Sequence, residues 1–183
     1  MQARTVTRFA GLAALAFLAA CAGERPGNLG VRDGRLAPCK PTPNCVASQA
    51  DRAADPGHYV TPLAIRGEPE ATWAALVAAV RATPRVHIVA ERPGYVHAEY
   101  ASRVFGFVDD VELQLDASAK VVHVRSASRV GRSDFGVNRA RIEALRTRLA
   151  AAGVVAASRG AAGGTLYSDV ISNTGSPACL RSS

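Results

Sequence analysis

Aromatic side chains are scarce in this sequence: one Trp, four Tyr and five Phe amount to 5% of 183 residues. A core must therefore be filled by Val, Leu, Ile and Ala. No apolar run is long enough for a membrane-spanning helix. The run from Gly11 to Ala20 is ten residues, against the ~20 needed to cross hydrocarbon. Catalytic signatures are missing too, with no GxSxG elbow, no HExxH and no phosphate-binding loop. The histidines His58, His87, His97 and His123 are scattered. His97 and Glu99, at i and i+2 on one strand face, would start a metal site, but no third ligand is evident. Charge is mixed along the chain, 22 basic residues against 15 acidic, without the basic clusters and interleaved aromatics of a nucleic-acid binder. These absences argue against an enzyme, a cofactor or a nucleic-acid partner. A weak metal-dependent enzyme stays as an alternative.

The first positive signal is at the N-terminus. Arg4 and Arg8 precede the apolar run, which ends in Leu18-Ala19-Ala20-Cys21. A charged start and a short apolar centre make residues 1–20 a secretory signal. Small residues before a cysteine resemble the bacterial lipobox, whose thiol is acylated, with palmitate or a similar chain, as cleavage frees it. Cys21 is thus the expected lipidation site, a membrane the expected partner and the cell envelope the expected address. Ala22 stands where many inner-membrane lipoproteins carry Asp, so the resemblance favours the outer membrane or periplasmic face. Losing Arg4 and Arg8 takes the basic count from 22 to 20 against an unchanged 15 acidic residues, so the net charge falls from +7 to +5.

Residues 21–38, rich in Gly, Arg and Pro, show no period and read as a flexible tether. Cys39 and Cys45 bracket two prolines in CKPTPNCVASQ. In an oxidising compartment they are expected to close a small disulfide loop, although Cys179 can compete for either partner. One domain is expected over 39–153. His58 to Arg66 reads as an edge or bulged strand interrupted by Pro62. Glu68, Pro69 and Glu70 open a helix. Trp73, Leu76, Val77 and Val80 give it one apolar stripe, and Pro84 ends it. Four alternating runs follow, at 85–91, 95–105, 107–116 and 121–130, joined by short turns such as Arg92-Pro93-Gly94. A closing helix from Asn138 to Ala151 turns Ile142, Leu145 and Leu149 inward and leaves Arg139, Arg141, Arg146 and Arg148 mostly outside, with Gly153 as its cap. Residues 154–183 read as a Gly/Ala/Ser-rich tail, containing one short run from Thr165 to Ile171, expected to be of low order or a loosely added strand. The result is an α+β fold: strand, helix, four-stranded antiparallel meander, helix, with both helices on one face of the sheet.

The pattern also fixes a register. Val111, Leu113 and Leu115 share a face with Val122 and Val124 only if opposed residue numbers sum to an odd value. A four-residue loop, Ala117 to Lys120, satisfies this and sets Glu112 opposite Arg125 and Asp110 opposite Ala127. The face away from the helices then carries Asp110, Glu112, Arg125 and Arg129 as neighbours. They read either as solvated ion pairs or as an anion-recognition surface, since Arg offers a planar donor fork. The adjoining joint, with Asp134, Asn138 and Arg139, adds backbone N–H groups at a helix start. Asp134 also suits a helix cap.

NCVASQ, FVDDVE and RSASRVGRSDFGVNRARIEALR resemble the bacterial "domain of unknown function 1499" family over about Cys39 to Leu149. The resemblance implies small envelope or secreted proteins and hands over no catalytic residues. The expected function is therefore a non-catalytic, lipid-anchored envelope module. It would bind an envelope protein or small anionic ligand through the polar sheet face. A purely structural envelope lipoprotein is the alternative.

Overall fold

The computed structural model describes residues 23–103 and 106–157. Cys21, Cys179 and the run from Thr165 to Ile171 lie outside the described residues. Eight elements follow one another: β1 (Cys45–Ala47), β2 (Leu63–Ala64), α1 (Pro69–Arg81), β3 (Val86–Arg92), β4 (Tyr95–Ala101), β5 (Val108–Asp116), β6 (Val121–Ser128) and α2 (Val137–Ala151). All strands pair antiparallel in one sheet of order β1-β6-β5-β4-β3, with β2 also on the outer edge of β6. This is the α+β arrangement the pattern called for.

Local chemistry explains both helices. Pro69 occupies the first turn of α1, where its missing N–H costs nothing, and Glu70 lies in the same turn. Leu76, Val77 and Val80 are buried, and Trp73 packs on the same cluster from its margin. Pro84 disfavours helical backbone at Thr83, so α1 stops at Arg81. In α2, Ile142, Leu145 and Leu149 join that cluster. Gly153, at φ +75°, lets the N–H groups of Gly153 and Val154 donate to Ala150 O (2.9 Å) and Leu149 O (3.1 Å), the paired bonds of a Schellman stop. From the sheet, Val96, Ala98, Val111, Leu113, Val122 and Val124 complete an aliphatic core, as the shortage of aromatics requires.

Four expectations need correction, and one strand, β1, carried no signal in the sequence. The run from His58 to Arg66 forms only the two-residue β2, because Pro62 has no N–H for a ladder. The carbonyls of Thr61 and Pro62 instead accept from Arg146, whose side chain is buried rather than outside. The start of the tail is also ordered: Val155 is buried and bridges Ile65, and Ala156 N–H donates to Ala64 O. Cys45–Ala47, too short to show alternation, forms the edge strand β1 on β6. The largest change concerns the tether. Residues 23–38 are packed as a strap across the polar face of the sheet, with Leu36 buried and its N–H donating to Gln49 Oε1 (2.8 Å). The Cys39–Cys45 disulfide, Cα–Cα 5.7 Å, ties the end of this strap to β1.

Candidate functional site

The β5–β6 register sets Glu112 opposite Arg125 and Asp110 opposite Ala127, as the alternation demands. β4 adds Tyr95, His97 and Glu99 to the same face, opposite Gln114, Glu112 and Asp110. Yet the face is not solvated. Asp110, Glu112 and Arg125 are 1%, 0% and 3% exposed. Alternation showed which side the charges take but not that the strap covers them.

Under the strap the charges alternate in sign. Asp110 Oδ1 accepts from His97 Nε2 and from Arg129 Nη2, both at 2.7 Å, and Oδ2 accepts from Arg129 Nε at 2.9 Å. Arg129 also donates to Glu99, which in turn accepts from Arg25 Nε of the strap at 2.9 Å. Burial pushes the Asp110 carboxyl up, but the Arg129 and His97 donors outweigh it and hold it below the usual range. Glu99 is likewise raised by burial and lowered further by Arg129 and Arg25.

Glu112 forms a second knot. Its Oε1 accepts from Tyr95 Oη (2.8 Å) and from the strap's Gly30 N–H (2.7 Å), while Oε2 accepts from Arg125 Nη1 (3.2 Å). Burial and the neighbouring Glu112 charge push the Tyr95 phenol up, so it remains a donor. Two carboxylates of the sheet, Glu99 and Glu112, thus hold the strap directly. Arg125 Nε has no partner among the described residues. A hollow of about 20 Å³ bordered by Arg125, Lys40, Asn44 and Asp110 has room for one water.

The other expected site residues lie elsewhere. Asn138 is on the helix side of the sheet, fully buried. It donates to Asn44 O (3.1 Å) and Ser128 Oγ (3.0 Å) and accepts from Ser126 Oγ and Arg141 Nη1. Arg141 continues to Asp109 and lies 4.9 Å from the Tyr100 ring centroid. Asp134 fills the start of α2 itself. Its carboxylate accepts the N–H groups of Gly136 (3.0 Å) and Asn138 (2.8 Å), and its carbonyl accepts that of Val137. The N–H groups read as an anion site are therefore occupied by the chain. Arg139 donates to Gly57 O at 2.8 Å. The seven residues read as one surface divide between a buried sheet face, a helix start and a loop contact.

Sequence reasoning missed Arg25, Gly30, Tyr95, Asp109 and Arg141. Extending strand parity to β4 would have found Tyr95, since it shares a face with His97 and Glu99. No periodic signal marks the strap. His97 and Glu99 are engaged by Asp110, Arg129 and Arg25, and among the described residues no group of three His, Cys, Asp or Glu could hold a metal.

A sizeable cavity opens between the strap and the loop that follows β1. It is a cleft of about 580 Å³ with Leu36, Ala37, Pro38 and Ala47 among its apolar walls. Arg32 and Arg35 border it, each donating to a backbone carbonyl, of Gly27 and Gln49 respectively, and neither pairs with a carboxylate among the described residues. The acids at the rim are taken: Asp51 accepts the N–H groups of Ala53 and Ala54, and Asp55 pairs with His58.

These features define a class: a small α+β domain whose charged sheet face is roofed by its own N-terminal strap. The family model described as "Protein of unknown function (DUF1499)" matches residues 35–149, and the chain belongs to that family. Comparison with curated proteins and with solved structures gives no match.

Proposed function

We propose that this chain is a non-catalytic, lipid-anchored module of the cell envelope that binds a small anionic, partly apolar ligand in the cleft beneath its strap. On this reading the buried charges fasten the strap and the cleft receives the ligand, so the binding role moves off the polar sheet face. The observation that carries it is the cleft itself. Its volume lies in the usual range for small-molecule sites, and it offers two guanidiniums without carboxylate partners among the described residues, beside an aliphatic wall. Each guanidinium retains N–H donors suited to a carboxylate or phosphate. Attachment through Cys21 draws support from the lipobox resemblance and from the Cys39–Cys45 disulfide, which suits an oxidising compartment.

The test uses 8-anilinonaphthalene-1-sulfonate, an anionic amphiphile, as probe. The folded chain should bind it saturably, and Arg32→Gln with Arg35→Gln should weaken binding about tenfold, the value of roughly one charge-assisted hydrogen bond. Thermal unfolding should not change. Absent or unaltered saturable binding would remove the cleft from the account. Acyl chains retained by a Cys21→Ala protein would remove the anchor.

A further inference from the structure

One end of the sheet presents apolar side chains exposed among the described residues. The turn into β3, the ends of β4 and β5 and the β6–α2 joint meet there, because Val86 pairs with Tyr100, Val108 with Ala101, and Arg129 N–H donates to Val108 O. Phe135 stands on this end 97% exposed, at φ +52°, a left-handed backbone that a bulky side chain rarely takes. Phe107 and Val137 are exposed beside the same loops, at 43% and 47%. A strained aromatic residue that buries almost nothing has no role in the fold's own packing.

The charge at this end is predominantly basic. Arg85, Arg103 and Arg132 are exposed and pair with no carboxylate among the described residues. Of the carboxylates nearby, Asp109 pairs with Arg141, and Asp110 and Glu99 pair with Arg129, while Asp134 caps the α2 N–H groups and Glu24, beside Gly23, is exposed.

The described chain also begins here. A Cβ on Gly23 would lie 2.8 Å from Arg129 Cβ and Val130 Cγ1, so Gly23 sits against the β6–α2 joint. Chain reach keeps Cys21, two residues earlier, within about 7 Å of Gly23. We infer that this end, through Phe135 with Arg103 and Arg132, docks onto an anionic lipid surface, seating the domain on the membrane that its lipid enters. The inference rests partly on the anchored reading above. Aromatic and aliphatic side chains enter the headgroup boundary while the guanidiniums meet lipid phosphates.

The experiment places a single Trp in the full acylated chain, on a Trp73→Phe background, by Phe135→Trp or, at the opposite end, Ala119→Trp. Each is added to vesicles of phosphatidylcholine with and without phosphatidylglycerol, the phosphatidylcholine brominated. In phosphatidylglycerol vesicles the tryptophan at 135 should shift to the blue and lose about half its emission to the bromines, as an interfacial side chain does, while that at 119 is unquenched. Arg103→Gln with Arg132→Gln should reduce the loss at 135. Equal quenching at both positions, none at 135, or a blue shift that needs no lipid and grows with protein concentration overturns the inference. Mass and vesicle flotation, read on the same samples, judge the anchor separately. A floating, acylated chain unquenched at 135 keeps the anchor and loses the docking surface. An unacylated chain still quenched at 135 keeps the surface and loses the anchor.

Discussion

Asp110 shows how much one side chain carries in this fold. It is desolvated, gripped by the Arg129 fork and bonded to His97. A buried pair adds little net stability as a pair, and removing Asp110 leaves Arg129 with Glu99 as its carboxylate partner and His97 without one among the described residues. Asp110→Asn should therefore cost about 1–3 kcal/mol in urea unfolding at neutral pH, the range for buried donors that lose an acceptor. The pH profile gives an independent reading. Asp110, Glu99 and Asp134 all have folded pKa values below the ordinary carboxylate values. Their contribution is complete above that range and is lost as pH falls through the lowered values, so stability should drop on the acid side, and Asp110→Asn should flatten that drop. His58 acts with the opposite sign. Burial lowers its pKa, but Thr42 O and Asp55 more than offset this, so its share is complete below 6.5 and lost as pH rises through the raised value. The Glu112–Arg125 pairing was legible in the sequence because strand period is strict. Their burial was not, because the covering residues are distant in the chain and carry no pattern.

At the scale of elements the strap separates what was readable from what was not. Helices α1 and α2 announced themselves through apolar stripes and through Pro69 and Gly153. The meander did so through alternation. The strap has neither period, and its fixed points are separate contacts, among them Arg25 on Glu99, Gly30 on Glu112, Gly34 on Gln114, and Arg35 and Leu36 on Gln49. Arg25 and Gly30 also lie before Arg35, where the family match begins. Arg146 was misread for a related reason, since its burial answers the free carbonyls of Thr61 and Pro62, a need created 84 residues earlier in the chain. If the strap is held as described, trypsin should cut slowly after Arg32 and Arg35 in the native chain. Glu112→Gln exchanges a charge-assisted bond to Gly30 N–H for a neutral one, so cleavage there should quicken about tenfold, the effect of roughly 1.4 kcal/mol on local opening. Equal rates would mean the strap is held by other contacts.

For the molecule as a whole, both faces of β5 are covered, by helices on one side and by the strap on the other. Aliphatic packing accounts for the first face and a chain of alternating charges for the second. The cleft and the basic, aromatic end of the sheet are consequences of that second layer, since the strap walls one and begins at the other. Native-state hydrogen exchange of the Gly30 and Leu36 amides tests the arrangement most directly. Docking predicts that both exchange far more slowly than in an unstructured peptide, and that Glu112→Gln releases Gly30 first. Exchange of both at free-peptide rates in the native chain would contradict it.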